Sequence, residues 1–149
     1  CKAGTFKALT FNKQFMKTAL LNIGLLILRL SIGGMMLFNG MAKLLRGVDS
    51  IRETFLEVGI PEFIAYAVYL GEILAPVLMI IGYRTRLAGL LTAITMLVAI
   101  LTAHSEKIFT LNPYGGWALE VLGLYLFGAL ALCFTGAGKI AVSHSGKWD

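Results

Sequence analysis

The chain has 149 residues, room for one domain, and is 58% hydrophobic with only 14% charged residues. Soluble domains carry about 25% charged residues; here the apolar excess also falls in long runs, which excludes a water-soluble globule and makes a bilayer the expected solvent. The formal net charge is +5, but the Lys and Arg residues lie between the apolar runs rather than clustered on one surface, which excludes nucleic acid as a partner and points to membrane topology.

Residues 1–17 form a basic juxtamembrane segment. It holds Lys2, Lys7, Lys13 and Lys17 with no acid, and the run Phe6-x-x-Leu9-x-Phe11-x-x-x-Phe15 alternates aromatics with lysines. An amphipathic helix on the inner membrane surface and a plain basic tail are equally good readings. Cys1 has no Met before it; a processed, a truncated or a lipidated end would each give this, and the basic segment behind it favours truncation. With only Cys1 and Cys133 and no Cys-x-x-Cys, a dithiol redox motif is excluded.

A spanning helix needs about 20 mostly apolar residues. Four stretches qualify: 18–42 interrupted by Arg29, 63–81 by Glu72, 87–103 with no charge, and 116–134 by Glu120. The linkers are short and carry turn signals at Gly47, Gly59 to Pro61, Gly82 and Asn112-Pro113, so consecutive helices are antiparallel neighbours. The expected fold is all-α: an integral membrane four-helix bundle, up-down-up-down, over residues 18–142, with a tail at 143–149. Basic excess falls on one side only: the N-terminal segment, Arg84 and Arg86, and the tail with Lys139 and Lys147. Both termini are therefore expected to be cytoplasmic.

Arg29, Glu72 and Glu120 are the informative residues, because a charge inside a bilayer is costly and normally finds a partner or a polar cavity. From the cytoplasmic helix ends, Arg29 lies roughly 17 Å deep, Glu72 roughly 15 Å and Glu120 roughly 22 Å. A central Arg29–Glu72 pair is expected, with Glu120, His104 and Asn39 in an outer layer. Asn22, Arg29, Met36 and Lys43 share one face of the first span with Gly33 and Gly40; Glu120 shares a face with Gly116, Gly123 and Phe127. Pro76 cannot donate to the Glu72 carbonyl, so a kink beside that carboxylate is expected. The bland alternative is a buried ion pair that fixes helix register.

Other chemistry is not encoded. His104 and His144 are expected on opposite membrane sides and cannot share a metal, so no metal site is assigned. Gly136-Ala137-Gly138-Lys139 lacks phosphate-loop spacing. No catalytic residue is assigned, and no cofactor is built in.

The first span reads Arg29-Leu-Ser-Ile-Gly33, then Phe38-Asn-Gly40 and Lys43. The second carries Glu72, followed by Gly82-Tyr-Arg84-Thr-Arg86-x-Ala88. The fourth carries Asn112 and Glu120, followed by Gly136-Ala-Gly138-Lys-Ile. In order and spacing, from about Leu25 to Ser143, these motifs resemble the DoxX family of small bacterial and archaeal membrane proteins. The family's closing motif usually continues Ser-x-Asp, where this chain has Ala141-Val-Ser143. The resemblance implies a multi-pass protein of the cytoplasmic (inner) membrane and the small subunit of a membrane oxidoreductase, with a quinone as electron acceptor. Arg29, Glu72, Glu120, His104 and Asn39 would then bind a quinone-like molecule or a small sulfur anion, or relay a proton. The expected partners are the lipid bilayer, a larger oxidoreductase subunit and further copies of the chain. A non-catalytic scaffold or assembly factor is the alternative, and a small-solute transporter the weaker one.

Overall fold

The computed structural model describes residues 2–46, 59, 67–143 and 146, with side chains from residue 14. Cys1, Tyr66, His144 and the charged first loop lie outside the described residues. Four helices account for most of the described chain: α1 Lys2–Arg46, α2 Ala67–Ile81, α3 Thr85–Ala103 and α4 Glu120–Thr135. A single 3-10 turn, Ser105–Lys107, follows α3. Among the described residues there is no strand, only an isolated bridge between Leu111 and Trp117.

At 45 residues, α1 is about 68 Å long. The basic N-terminal segment continues the helix of the first apolar run instead of turning onto a surface. α1 packs on α2 and α4, α2 on α3, and α3 along α4. On α1, Gly33 meets Pro76 and Ile80 while Gly40 meets Glu72 and Ile73, so α1 and α2 run antiparallel.

The core is built from slender or flexible side chains: Ala75, Ala88, Ala93 and Ala129 with Met36, Met79 and Met96, closed by Ile32, Tyr125 and Leu132. The bulky apolar residues face outward, among them Phe38, Leu45, Leu101, Leu124, Phe127 and Phe134. Small residues inside and large ones outside are the packing expected when the surroundings are lipid, because close helix approach, and not burial of apolar area, drives association there. Two helices, Gln14–Leu45 and Thr85–Ala103, are long and apolar enough to cross a bilayer, and Ala67–Ile81 and Glu120–Thr135 are shorter apolar helices.

Pro76 acts differently from a simple kink. α2 continues through it, but widens to a π turn at Leu70–Leu74 just before it. The α2–α3 turn follows, with Gly82 left-handed at φ 78° and Arg84 at φ 47°. The fourth helix begins at Glu120 and not near 116, because residues 108–119 fold into a loop whose Trp117 packs back on Gly123.

Candidate functional site

The structure separates Arg29 from Glu72 and gives each a different partner. Arg29 is 1% exposed. Its Nη1 donates to the Ala137 carbonyl at 2.8 Å and its Nη2 to the Ile140 carbonyl at 2.7 Å. These carbonyls lie just beyond the C-terminus of α4, where the helix dipole favours a cation. Asn22, one turn pair earlier on the same α1 face, accepts from the Lys139 amide at 2.9 Å. On the other side, Val142 and Ser143 donate their amides to the Ile81 and Gly82 carbonyls. The segment 136–143 is thus a strap held between α1 and the end of α2. A side chain on Gly82 would collide with both the Arg29 guanidinium and Ala141, so that glycine serves close approach as well as its positive φ.

Arg29 and Glu72 lie at different depths, contrary to expectation. α1 continues beyond residue 18 to Lys2, and the C-terminal end of α2 at Gly82 is level with Arg29. Gly40 is the residue level with Glu72. Eleven helical residues from Arg29 to Gly40 correspond to about 16 Å, so Arg29 belongs to the end of the bundle at the α2–α3 turn.

Glu72 is 2% exposed. Its Oε1 accepts from the Lys43 ammonium at 2.5 Å, and the Lys43 side chain is 38% exposed. Its Oε2 is buried with no hydrogen-bond partner among the described residues. The backbone around it is unusual for the reason the proline gave. Pro76 has no N–H for the Glu72 carbonyl in α register, or for the Gly71 carbonyl in π register. Thr92 Oγ1 supplies a donor to the Gly71 carbonyl at 3.3 Å. Gly40 packs its backbone directly against the Glu72 carbonyl, where any Cβ would overlap it.

Asn39 donates its amide to the Tyr125 hydroxyl at 3.3 Å. His104 caps the outer end of α3, and its Nδ1 is buried without a partner among the described residues. Burial holds the imidazole below its ordinary pKa, with Lys107 and then Lys43 adding to the effect. Glu120 does not join this layer. It is exposed in the first turn of α4, beside Gly116 and Asn112. Phe127, on its face, is also exposed, whereas Tyr125, Ala129 and Leu132 form the buried face. Asn112 Oδ1 accepts from the Tyr114 and Gly116 amides, so it builds the loop. No group of three or more potential metal ligands occurs among the described residues.

Sequence reasoning missed the Lys43–Glu72 pairing, although Lys43 shares a face with Arg29 and lies three residues from Gly40. It also missed Asn22 as a holder of the strap, and Thr92, whose only signal was a hydroxyl in an apolar helix.

The sequence profile of the family named DoxX matches residues 24–105. The chain belongs to the DoxX family. Within the matched residues Gly40, Lys43 and Glu72 form one contact, and Arg29 clasps the segment after α4, which lies beyond the match. The chain is also 31% identical over 115 residues, 77% of its own length and 81% of the relative's, to a protein of Bacillus subtilis (strain 168) named "Putative oxidoreductase CatD". No solved structure matches it. As a DoxX protein the chain is a membrane protein in contact with lipid.

Proposed function

We propose that this DoxX protein is the small membrane subunit of an oxidoreductase, and that it binds a quinone-like headgroup or a small anion at Lys43 and Glu72. The four helices would each cross the cytoplasmic membrane, with both termini inside and the Lys43–Glu72 layer in the outer half. The basic end of the bundle, with Arg84, Arg86 and Lys139, supports this orientation through the positive-inside rule. The printed name of the Bacillus relative supports the redox assignment.

The observation that carries the reading is the state of Glu72. One carboxylate oxygen is held by an ammonium on a partly exposed side chain, and the other is buried without a hydrogen-bond partner among the described residues. An intramembrane ionisable residue in that condition is a functional group by default. Lys43 would hold a carbonyl or anionic oxygen, and Glu72 would orient Lys43 and exchange a proton. Arg29 is reassigned from ligand to architecture, because its two terminal nitrogens are committed to backbone carbonyls.

The test is quinone binding and electron transfer in membranes containing the full chain and its co-purifying partner, for Glu72→Gln and Lys43→Met. Both variants should lose binding per mole of folded protein, with the folded amount measured for each. Normal quinone binding in both would overturn the site, and absence of quinone from the wild type would overturn the ligand. The scaffold reading has its own support in Arg29, whose two terminal nitrogens hold backbone carbonyls. It predicts instead a stoichiometric partner whose activity survives both substitutions.

A further inference from the structure

The end of the bundle opposite Lys43 carries a second feature, independent of Glu72. A groove of about 550 Å³ runs between the N-terminal half of α1 and the strap after α4. Its walls include Gln14, Phe15, Thr18 and Ile23 on α1, and Lys139 and Ile140 on the strap. The volume is within the ~300–1,000 Å³ of small-molecule sites.

The strap wall is fixed in place. The Lys139 amide is held by Asn22, and the carbonyls of Ala137 and Ile140 by Arg29. The Lys139 side chain is exposed and so projects from an anchored backbone. The groove has a mixed lining: Gln14, Thr18, Asn22 and Lys139 are polar, while Phe15, Ile23 and Ile140 are apolar. Gln14 is fifteen residues before Arg29, about 22 Å along the helix axis, and Ile23 six residues, about 9 Å. The level of Arg29 is that of the α2–α3 turn, so the α1 wall of the groove lies just beyond the end of the bundle. Phe15 is 70% exposed and Leu20 64%, too apolar for a site facing only water.

Charge selects the occupant. Lys13, Lys17, Arg84, Arg86 and Lys139 all belong to this end of the chain's fold, whereas the described acids Glu72, Glu106 and Glu120 belong to the other. A ligand with acyl chains, a glycerol-sized polar body and a negative headgroup satisfies all three features. We propose that this groove binds one anionic phospholipid, with its phosphate at Lys139 and its acyl chains leaving past Ile23 and Ile140. Attraction of basic residues to anionic lipid at a membrane surface is the physical basis. The proposal rests on α1 crossing the bilayer, as proposed above, and not on any redox role.

The experiment uses the full chain purified in a non-ionic detergent. Phosphatidylglycerol or phosphatidylcholine of identical acyl chains is titrated in, and retained lipid is counted by native mass spectrometry. One phosphatidylglycerol should be retained per chain, at least about fivefold more tightly than phosphatidylcholine, the factor that one cation contributes beside an anionic surface. Lys139→Gln should remove that preference, while Lys107→Gln at the opposite end should leave it intact. Ala19→Trp, which fills the groove, should abolish retention of both lipids without lowering the melting temperature in lipid-free detergent. Equal retention of the two lipids by the wild type would overturn the proposal. So would equal effects of Lys139→Gln and Lys107→Gln, or equally tight binding of soluble glycerol phosphate, which would mark the site as an ion site. Loss of quinone binding in Glu72→Gln would leave this site untouched, so the two readings fail separately.

Discussion

Gly40 stands against the carbonyl of Glu72, one turn before the proline that interrupts the amide donors of α2. The neighbouring carbonyl, on Gly71, takes the Thr92 hydroxyl. Helix α2 therefore passes its proline with its backbone acceptors covered by α1 on one side and α3 on the other. The buried carboxylate is held between them.

Gly40→Ala should be disproportionately harmful for so small a change. The new methyl would overlap the Glu72 carbonyl, and overpacking of this kind costs about 1–3 kcal/mol. A lowered melting temperature in detergent, with Gly24→Ala on an open stretch of α1 unchanged, is the expected result. Equal effects at the two glycines would contradict the packing seen here.

The two partners of the ion pair should respond unequally. Lys43→Met strands a carboxylate that is 2% exposed, while Glu72→Gln leaves an ammonium on a side chain that is 38% exposed. Removing one partner of a buried pair costs about 3–5 kcal/mol, and that full penalty applies only to Lys43→Met. Unfolding titrations of both variants and of the double mutant measure the asymmetry.

Arg29→Met should release the strap and leave the Lys43–Glu72 layer in place. Two hydrogen bonds from a charged donor, about 1.5–3 kcal/mol each, would be lost, and protease should then cut within 136–143. Arg29→Lys should rescue only in part, because one ammonium cannot reproduce the planar fork that reaches both carbonyls. Intact resistance to protease in Arg29→Met would show that the clasp is not what holds the strap.

His104 links stability to pH. Its folded pKa lies below the ordinary 6.5, so the unfolded chain binds more protons than the folded one as pH falls below about 6.5. Stability should drop across that window and level off once the folded histidine has also protonated. The thermal midpoint followed from pH 8 to pH 5 should show less of this loss in His104→Gln. An identical pH profile for the variant would remove His104 from the account.

The fold was legible where physics acts locally. The apolar runs and the turn at Gly82 could be read, as could the α1 face of Asn22, Arg29, Met36 and Gly40, because burial follows the 3.6-residue period. Which charges meet was not legible. Depth along a helix is meaningful only relative to where its neighbours end, and α1 outruns them by many turns. Arg29 also chose backbone carbonyls, which have no side-chain signature. The face of Glu120 was misread because α4 is apolar all round, so its pattern names no inner side, and because the helix starts at Glu120 rather than at Gly116.

The clasp also sets the order in which the protein can be finished. Arg29 precedes its two carbonyl partners by 108 and 111 residues. Until those residues are made, the guanidinium lacks the two carbonyls it holds in the finished bundle. A chain truncated before residue 137 therefore lacks both acceptors of the guanidinium.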